Sequence, residues 1–163
     1  MAPGAWWRYL RDRVASAYPL FETAERLEET SAQIYDALAD RFQSDAPASD
    51  LFRRLAAEER QHATRVRLLA ARYRHDSRLF ESVDMAAKGL EEMLAEATRV
   101  LERIRAGEWS NDLDLVRGEV VDLEDRFQAA HAEVIAALAD PALKKFFESM
   151  AAQDEGHRRL LRG

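Results

Sequence analysis

"LAAEERQH" occupies residues 55–62, and "MAAQDEGH" occupies residues 150–157. Each sets small residues ahead of a carboxylate and a histidine three places later: Glu59 and His62 in the first, Asp154 and His157 in the second. On an α-helix, residues three apart lie roughly 60° round and ~4.5 Å along, so each pair shares a face. With 30 Asp and Glu in 163 residues, two histidines each preceded this way is roughly a one-in-thirty accident. The spacing alone is therefore weak, and each motif taken singly also reads as a salt-bridged surface pair. What separates packing that merely looks alike from two halves of one metal site is the apolar pattern around the motifs.

That pattern is helical throughout. Gly (6) and Pro (4) are few and sit mostly at breaks, while Ala, Leu, Glu and Arg dominate, which is helix composition. The reading gives a short helix near 5–17, then a long helix opened by Pro19 and running to about 43. A turn at "SDAPASD" (44–50) follows, and a second long helix, capped by Ser49 or Asp50, runs to about 74. "HDSR" (75–78) breaks the chain, a connector helix covers about 81–106, and "AGEWSND" (106–112) turns into a helix capped by Ser110 or Asn111 and ending near 139. Pro141 starts the last helix, a position that suits proline. Residues 1–18 are read as an N-terminal helical extension and 19–163 as one domain. The extension's tryptophans and arginines suit a surface-lying helix less well than packing on its own domain or on a partner subunit.

Each long helix carries an apolar stripe of helical period, such as Leu20, Ala24, Leu27, Ser31, Tyr35, Leu38 and Phe42 in the first. The connector's stripe (Ala86, Leu90, Met93, Ala97, Val100, Ile104) holds no ionisable residue. The other four do. Glu28 lies in the first, Glu59 and His62 in the second, Glu124 and His131 in the fourth, and Asp154 and His157 in the last. Glu25, Glu29, Glu58 and Glu155 fall off the stripes and read as solvated face. His75 reads as exposed turn, and the tryptophans and Met150 as packing.

An unpaired carboxylate in a bundle core would sooner take up a proton than stay ionised. Four carboxylates and two neutral imidazoles sum to −4, which two divalent cations cancel. Oxygen and nitrogen donors without thiolate suit iron or manganese better than structural zinc.

At this point the sequence resembles the ferritin-like superfamily, and within it the rubrerythrin-like branch. The resemblance spans about residues 20–161 and rests on "AERLEETSAQIYDALAD" (24–40), "FRRLAAEERQH" (52–62), "VDLEDRFQAAH" (121–131) and "FFESMAAQDEGH" (146–157). It implies an all-α four-helix bundle, with a long crossover helix between two hairpins and a short N-terminal helix. A connector of about 25 residues spans ~38 Å, enough to run back along the bundle and make the second and fourth helices parallel. The resemblance also implies two Fe ions, with Mn possible. Glu59 and Asp154 would bridge them, Glu28 and Glu124 would be outer carboxylates, and His62 and His157 would go one to each metal. The implied reaction is of ferrous iron with hydrogen peroxide or O₂. Tyr35, seven residues after Glu28, matches the first-helix motif; the second half has His131 in its place. Tyr35 and His131 are the candidate catalytic residues. His131 reads as a partner that orients a ligand, an extra ligand, or a core histidine, the first and last being preferred. Two departures stand out: Asp154 replaces the usual Glu, one methylene shorter, and no cysteine-rich electron-transfer module follows, so an external electron donor is expected.

Composition bounds the alternatives. The net charge of −6 gives no nucleic-acid footprint. The absence of cysteine removes disulfides, thiol nucleophiles and Cys-ligated metals, and fits a reducing cytoplasm. No run of 18 apolar residues offers a membrane span, and the N-terminus lacks the apolar core and cleavage site of a signal peptide. The expected assembly is a homodimer. Two other functions compete with the di-iron oxidoreductase: iron binding or storage without turnover, and a metal-free helical interaction module.

Overall fold

The computed structural model describes residues 4–73, 83–138 and 140–162, with side chains described for all of these except 4–19, 73, 83–86 and 137. Among the described residues there are five helices and no strand: α1 (Gly4–Arg41), α2 (Ala46–Tyr73), α3 (Val83–Arg105), α4 (Leu113–Ala137) and α5 (Pro141–Arg162). No helix among them is long and apolar enough to cross a membrane. The described chain is all-α.

The helix ends follow local chemistry. Asp45 Oδ1 accepts from the Ala48 N–H at the start of α2, and Asp112 caps α4 by accepting from Asp114 and Leu115. The caps expected at Ser49 or Asp50 and at Ser110 or Asn111 are thus displaced to aspartates a few positions away. An ionised carboxylate is the stronger acceptor for free helix N–H groups. Ser49 instead turns inward and donates to the Ala39 carbonyl. Ser110 accepts from the Asp112 N–H just before the cap. Gly107, at φ 76°, ends α3 in the left-handed conformation that glycine adopts without strain. The break at "HDSR" and His75 lie outside the described residues.

One element differs more. α1 is a single helix of 38 residues, whereas a short helix followed by a second opened at Pro19 was expected. An interior proline removes one backbone hydrogen bond and crowds the preceding turn. That loss is local, and the helix continues on both sides of it.

Cross-helix contacts fix the directions. Ser49 meets Ala39, and Arg67 meets Glu25 and Glu29, so α1 and α2 are antiparallel. Arg158 pairs with Asp125 while His131 meets Asp154, so α4 and α5 are antiparallel as well. Glu58 meets His157 and Gln153 meets His62, which opposes α2 to α5. α2 and α4 therefore run the same way, as the crossover requires. α3 packs along α1 and α4, burying Leu90, Ala97, Leu101 and Ile104. Each buried large aliphatic side chain contributes about 1.5–3 kcal/mol.

The stripes read from sequence are the core. Leu20, Ala24, Leu27, Ser31, Tyr35, Leu38 and Phe42 are all buried, as are Met150 and Trp109. Leu160, expected on the apolar stripe of the last helix, is an exception at 36% exposed, while nearby Arg158 is buried. Arg158 pairs with Asp125 and Glu155, which holds the guanidinium between α4 and α5.

Candidate metal centre

Glu28 and Tyr35 are two turns apart on α1, on one face, and Glu124 and His131 repeat that spacing on α4. Glu59 and His62 sit one turn apart on α2, and Asp154 and His157 on α5. All eight side chains are buried in the middle of the bundle, and Glu28, Glu59, Glu124, His131 and Asp154 line one narrow cleft there.

The contacts come in matched pairs. Tyr35 Oη on α1 donates to Glu124 Oε1 on α4. In the mirror position, His131 Nε2 on α4 lies 3.2 Å from Glu28 Oε1 on α1. His62 Nε2 is 2.8 Å from Gln153 Oε1, and His157 Nε2 is 3.0 Å from Glu58 Oε2. The inner nitrogens face carboxylates. His157 Nδ1 is 2.9 Å from Glu59 Oε1. His62 Nδ1 is 3.4 Å from Glu59, 3.6 Å from Glu28 and 3.8 Å from Asp154. The His62 and His157 rings stack with centroids 5.8 Å apart.

Electrostatics shows how unusual this core is. Burial works to keep imidazoles neutral and carboxylic acids protonated. Against that burial, Glu28 and Glu59 push His62 up to about 11, Asp154 and Glu28 push His131 up to about 10, and Glu59 pushes His157 up to about 9. Burial, joined by the charges of Glu59 and Asp154, pushes Glu124 up to about 8. Burial also leaves Glu59 raised and Tyr35 far above its ordinary value. Glu28 moves the other way: burial opposes its ionisation, but His131 and His62 outweigh it and hold the carboxyl well below the usual range.

Whether these residues fit metal ions is tested by their unused atoms. Glu28 Oε1, His62 Nδ1, His131 Nε2 and His157 Nδ1 are buried without a hydrogen-bond partner among the described residues. The 2.9 and 3.2 Å approaches of His157 and His131 to carboxylates are close enough for ion pairing but off the hydrogen-bonding direction. Buried polar atoms are rarely left so; Glu28 Oε1 and His131 Nε2 face each other, while His62 Nδ1 and His157 Nδ1 lie among carboxylates, an arrangement that fits cations. Two groups of donor atoms lie close enough together to hold one ion each: Glu59, Glu124, Asp154 and His157, and Glu28, Glu59 and His62. Glu59 belongs to both.

A family model for rubrerythrin matches residues 20–140. The chain belongs to the rubrerythrin family. This is a ferritin-like di-iron family, and its model covers Glu28, Tyr35, Glu59, His62, Glu124 and His131. α5 of this rubrerythrin-family chain, with Asp154 and His157, lies beyond the matched segment, so its place in the site rests on the geometry above. No curated protein and no solved structure compared with the chain matches it.

All eight residues expected at the site come together. His131 touches two of them, hydrogen-bonding Asp154 Oδ2 at 3.1 Å and facing Glu28. Glu25 and Glu29 pair with Arg67 on the outer face, and Glu155 pairs with Arg158. Glu58, expected to be solvated, is not merely that: its Oε2 binds His157 across the bundle, and Arg54 and His157 together overcome its partial burial to lower its pKa. The signal lay in the repeat itself, since Glu58 and Gln153 hold the same place before the shared carboxylate. A helix-local reading pairs Glu58 with His62 one turn on, whereas the fold pairs it with the opposite histidine.

Proposed function

We propose that the chain is a non-haem di-iron oxidoreductase that reacts ferrous iron with hydrogen peroxide or O₂. The observation that carries this is the pair of buried nitrogen and carboxylate donor groups, sharing Glu59, to which α1, α2, α4 and α5 all contribute. Glu28, Glu59 and His62 would hold one ion, and Glu59, Glu124, Asp154 and His157 the other; manganese suits the same donors. When bound, a pair of ferrous ions supplies the two electrons that reduce one peroxide to two waters.

The chain's own residues supply order and protons. Tyr35 fixes one oxygen of Glu124, leaving the other to face the centre. His131 fixes Asp154 in the same way through Nδ1, offsetting the shorter reach of aspartate. Reduction of peroxide also takes two protons, and the Tyr35 hydroxyl and the His131 ring hold protons inside a core closed to water. The 163 residues contain no cysteine, so the electrons that restore the ferrous state come from a donor outside them.

Metal analysis of the protein as isolated tests this, together with optical spectra of the ferrous form on adding peroxide. About two metals per chain, rapid loss of peroxide and a new absorption are expected. Absence of any spectral change on adding peroxide to iron-loaded protein overturns the reading.

A further inference from the structure

The helix pairs α1/α2 and α4/α5 hold the centre through equivalent contacts made by unequal residues. Each histidine presents Nδ1 to the centre and gives Nε2 to the residue preceding the opposite carboxylate. For His157 that residue is Glu58, an anion, whose Oε2 lies at 3.0 Å while its other oxygen accepts from Arg54 at 2.9 Å. For His62 it is Gln153, a neutral amide, at 2.8 Å. Arg65 also donates to the same Gln153 oxygen at 2.7 Å, which draws electron density away from the acceptor His62 uses. A carboxylate behind a metal-binding imidazole makes it a stronger donor. An amide already engaged by a guanidinium does this far less.

A second, independent asymmetry points the same way. The donor group that includes His157 has four members, the one that includes His62 only three. His131 hydrogen-bonds Asp154 Oδ2 and faces Glu28 Oε1, and the remaining oxygens of these carboxylates stand 3.8 and 3.6 Å from His62 Nδ1, whereas Glu59 Oε1 lies 2.9 Å from His157 Nδ1. The counterpart of His131 on α1, Tyr35, engages only Glu124 among the site carboxylates by hydrogen bond.

We propose that the two metal positions fill in order: the Glu124–His157 position takes the first divalent cation tightly, and the Glu28–His62 position takes the second more weakly, with Glu58 and Gln153 setting the difference. This rests on the two-metal reading above. Glu58 and Gln153 are positioning residues that act through the histidines. The consequence is a chain that retains one ion while the other exchanges.

The test is a titration of the full, metal-free chain with Mn(II), with free ion followed by its electron paramagnetic resonance signal. Two steps are expected, the first at least about tenfold tighter than the second. Glu58→Gln weakens the first step by about 10–100-fold, the usual effect of losing such a partner, and leaves the second unchanged. Gln153→Glu tightens the second step, a gain that a merely structural role does not produce. Two indistinguishable steps in the parent chain, or Glu58→Gln shifting both steps equally or neither, overturn the ordering while leaving a two-metal site in place. Failure of the parent chain to take up any Mn(II) or Fe(II) overturns the two-metal reading itself.

Discussion

At the scale of single residues, the centre is a cluster of charges that the fold holds together at a cost. Without metal, raised histidines are charged in the folded state. That stabilisation is full below the ordinary imidazole value of 6.5 and is lost as pH rises through about 9 to 11. Glu124 has the same sign. It stays protonated in the folded chain up to about 8, while the unfolded chain ionises from 4.5, so stability falls across that window. Glu28, with its lowered value, adds stability above 4.5 that is lost on acidification. Glu124→Gln mimics the protonated acid. Urea denaturation of chelated protein should therefore find the variant within about 1 kcal/mol of the parent near pH 5 and clearly more stable than the parent at pH 8. Glu28, Glu59 and His62 remain, so uptake at their position persists while the tight step is lost. An equal pH slope in both proteins would contradict the assignment of Glu124.

At the scale of elements, α3 sets the topology of the bundle. Its length returns the chain to the starting end of the bundle, and its stripe closes the groove between α1 and α4 without bringing a charge to the centre. Leu90 is fully buried. Leu90→Ala should cost about 2–5 kcal/mol by urea denaturation and leave the metal content of folded protein unchanged. Loss of metal from the folded variant would mean that α3 positions ligands directly. The turn after α3 is held by Arg41, which donates to the Trp109 and Ser110 carbonyls, and by Arg103 over the Trp109 ring. Those contacts tie the second hairpin to α1 near the end of the helix that carries Glu28 and Tyr35.

At the scale of the whole molecule, metal and fold are linked. The donor atoms converge only when four helices are packed, so ions that bind them stabilise the folded chain. At a free metal concentration about a hundred times Kd, the gain is about 2.7 kcal/mol. Thermal melts with Fe(II) or Mn(II) against a chelator should show a higher Tm with metal, and the gap should widen from pH 6 to pH 9. Two effects set that sign: protons compete less for the histidines, and the metal-free chain itself weakens. A Tm indifferent to chelation would favour a metal-free helical module.

The amino-acid sequence alone determined the helices, their buried stripes and the ionisable residues inside them, because helical period is a local property and charge in an apolar stripe is visible without coordinates. The same reasoning marked Glu28, Glu59, His62, Glu124, Asp154 and His157 as ionisable groups in apolar stripes, and the family resemblance implied that they share one site. The caps and the continuity of α1 through Pro19 were less legible, since competing acceptors a few residues apart and one lost backbone bond differ by only a few kcal/mol. Only the tertiary structure decided that Tyr35 serves Glu124 rather than its own helix neighbour Glu28, that His131 sits between Asp154 and Glu28, and that Glu58 and Gln153 reach across to opposite histidines. Those partners are set by how antiparallel helices register against one another, a relation between segments distant in sequence that no local pattern carries.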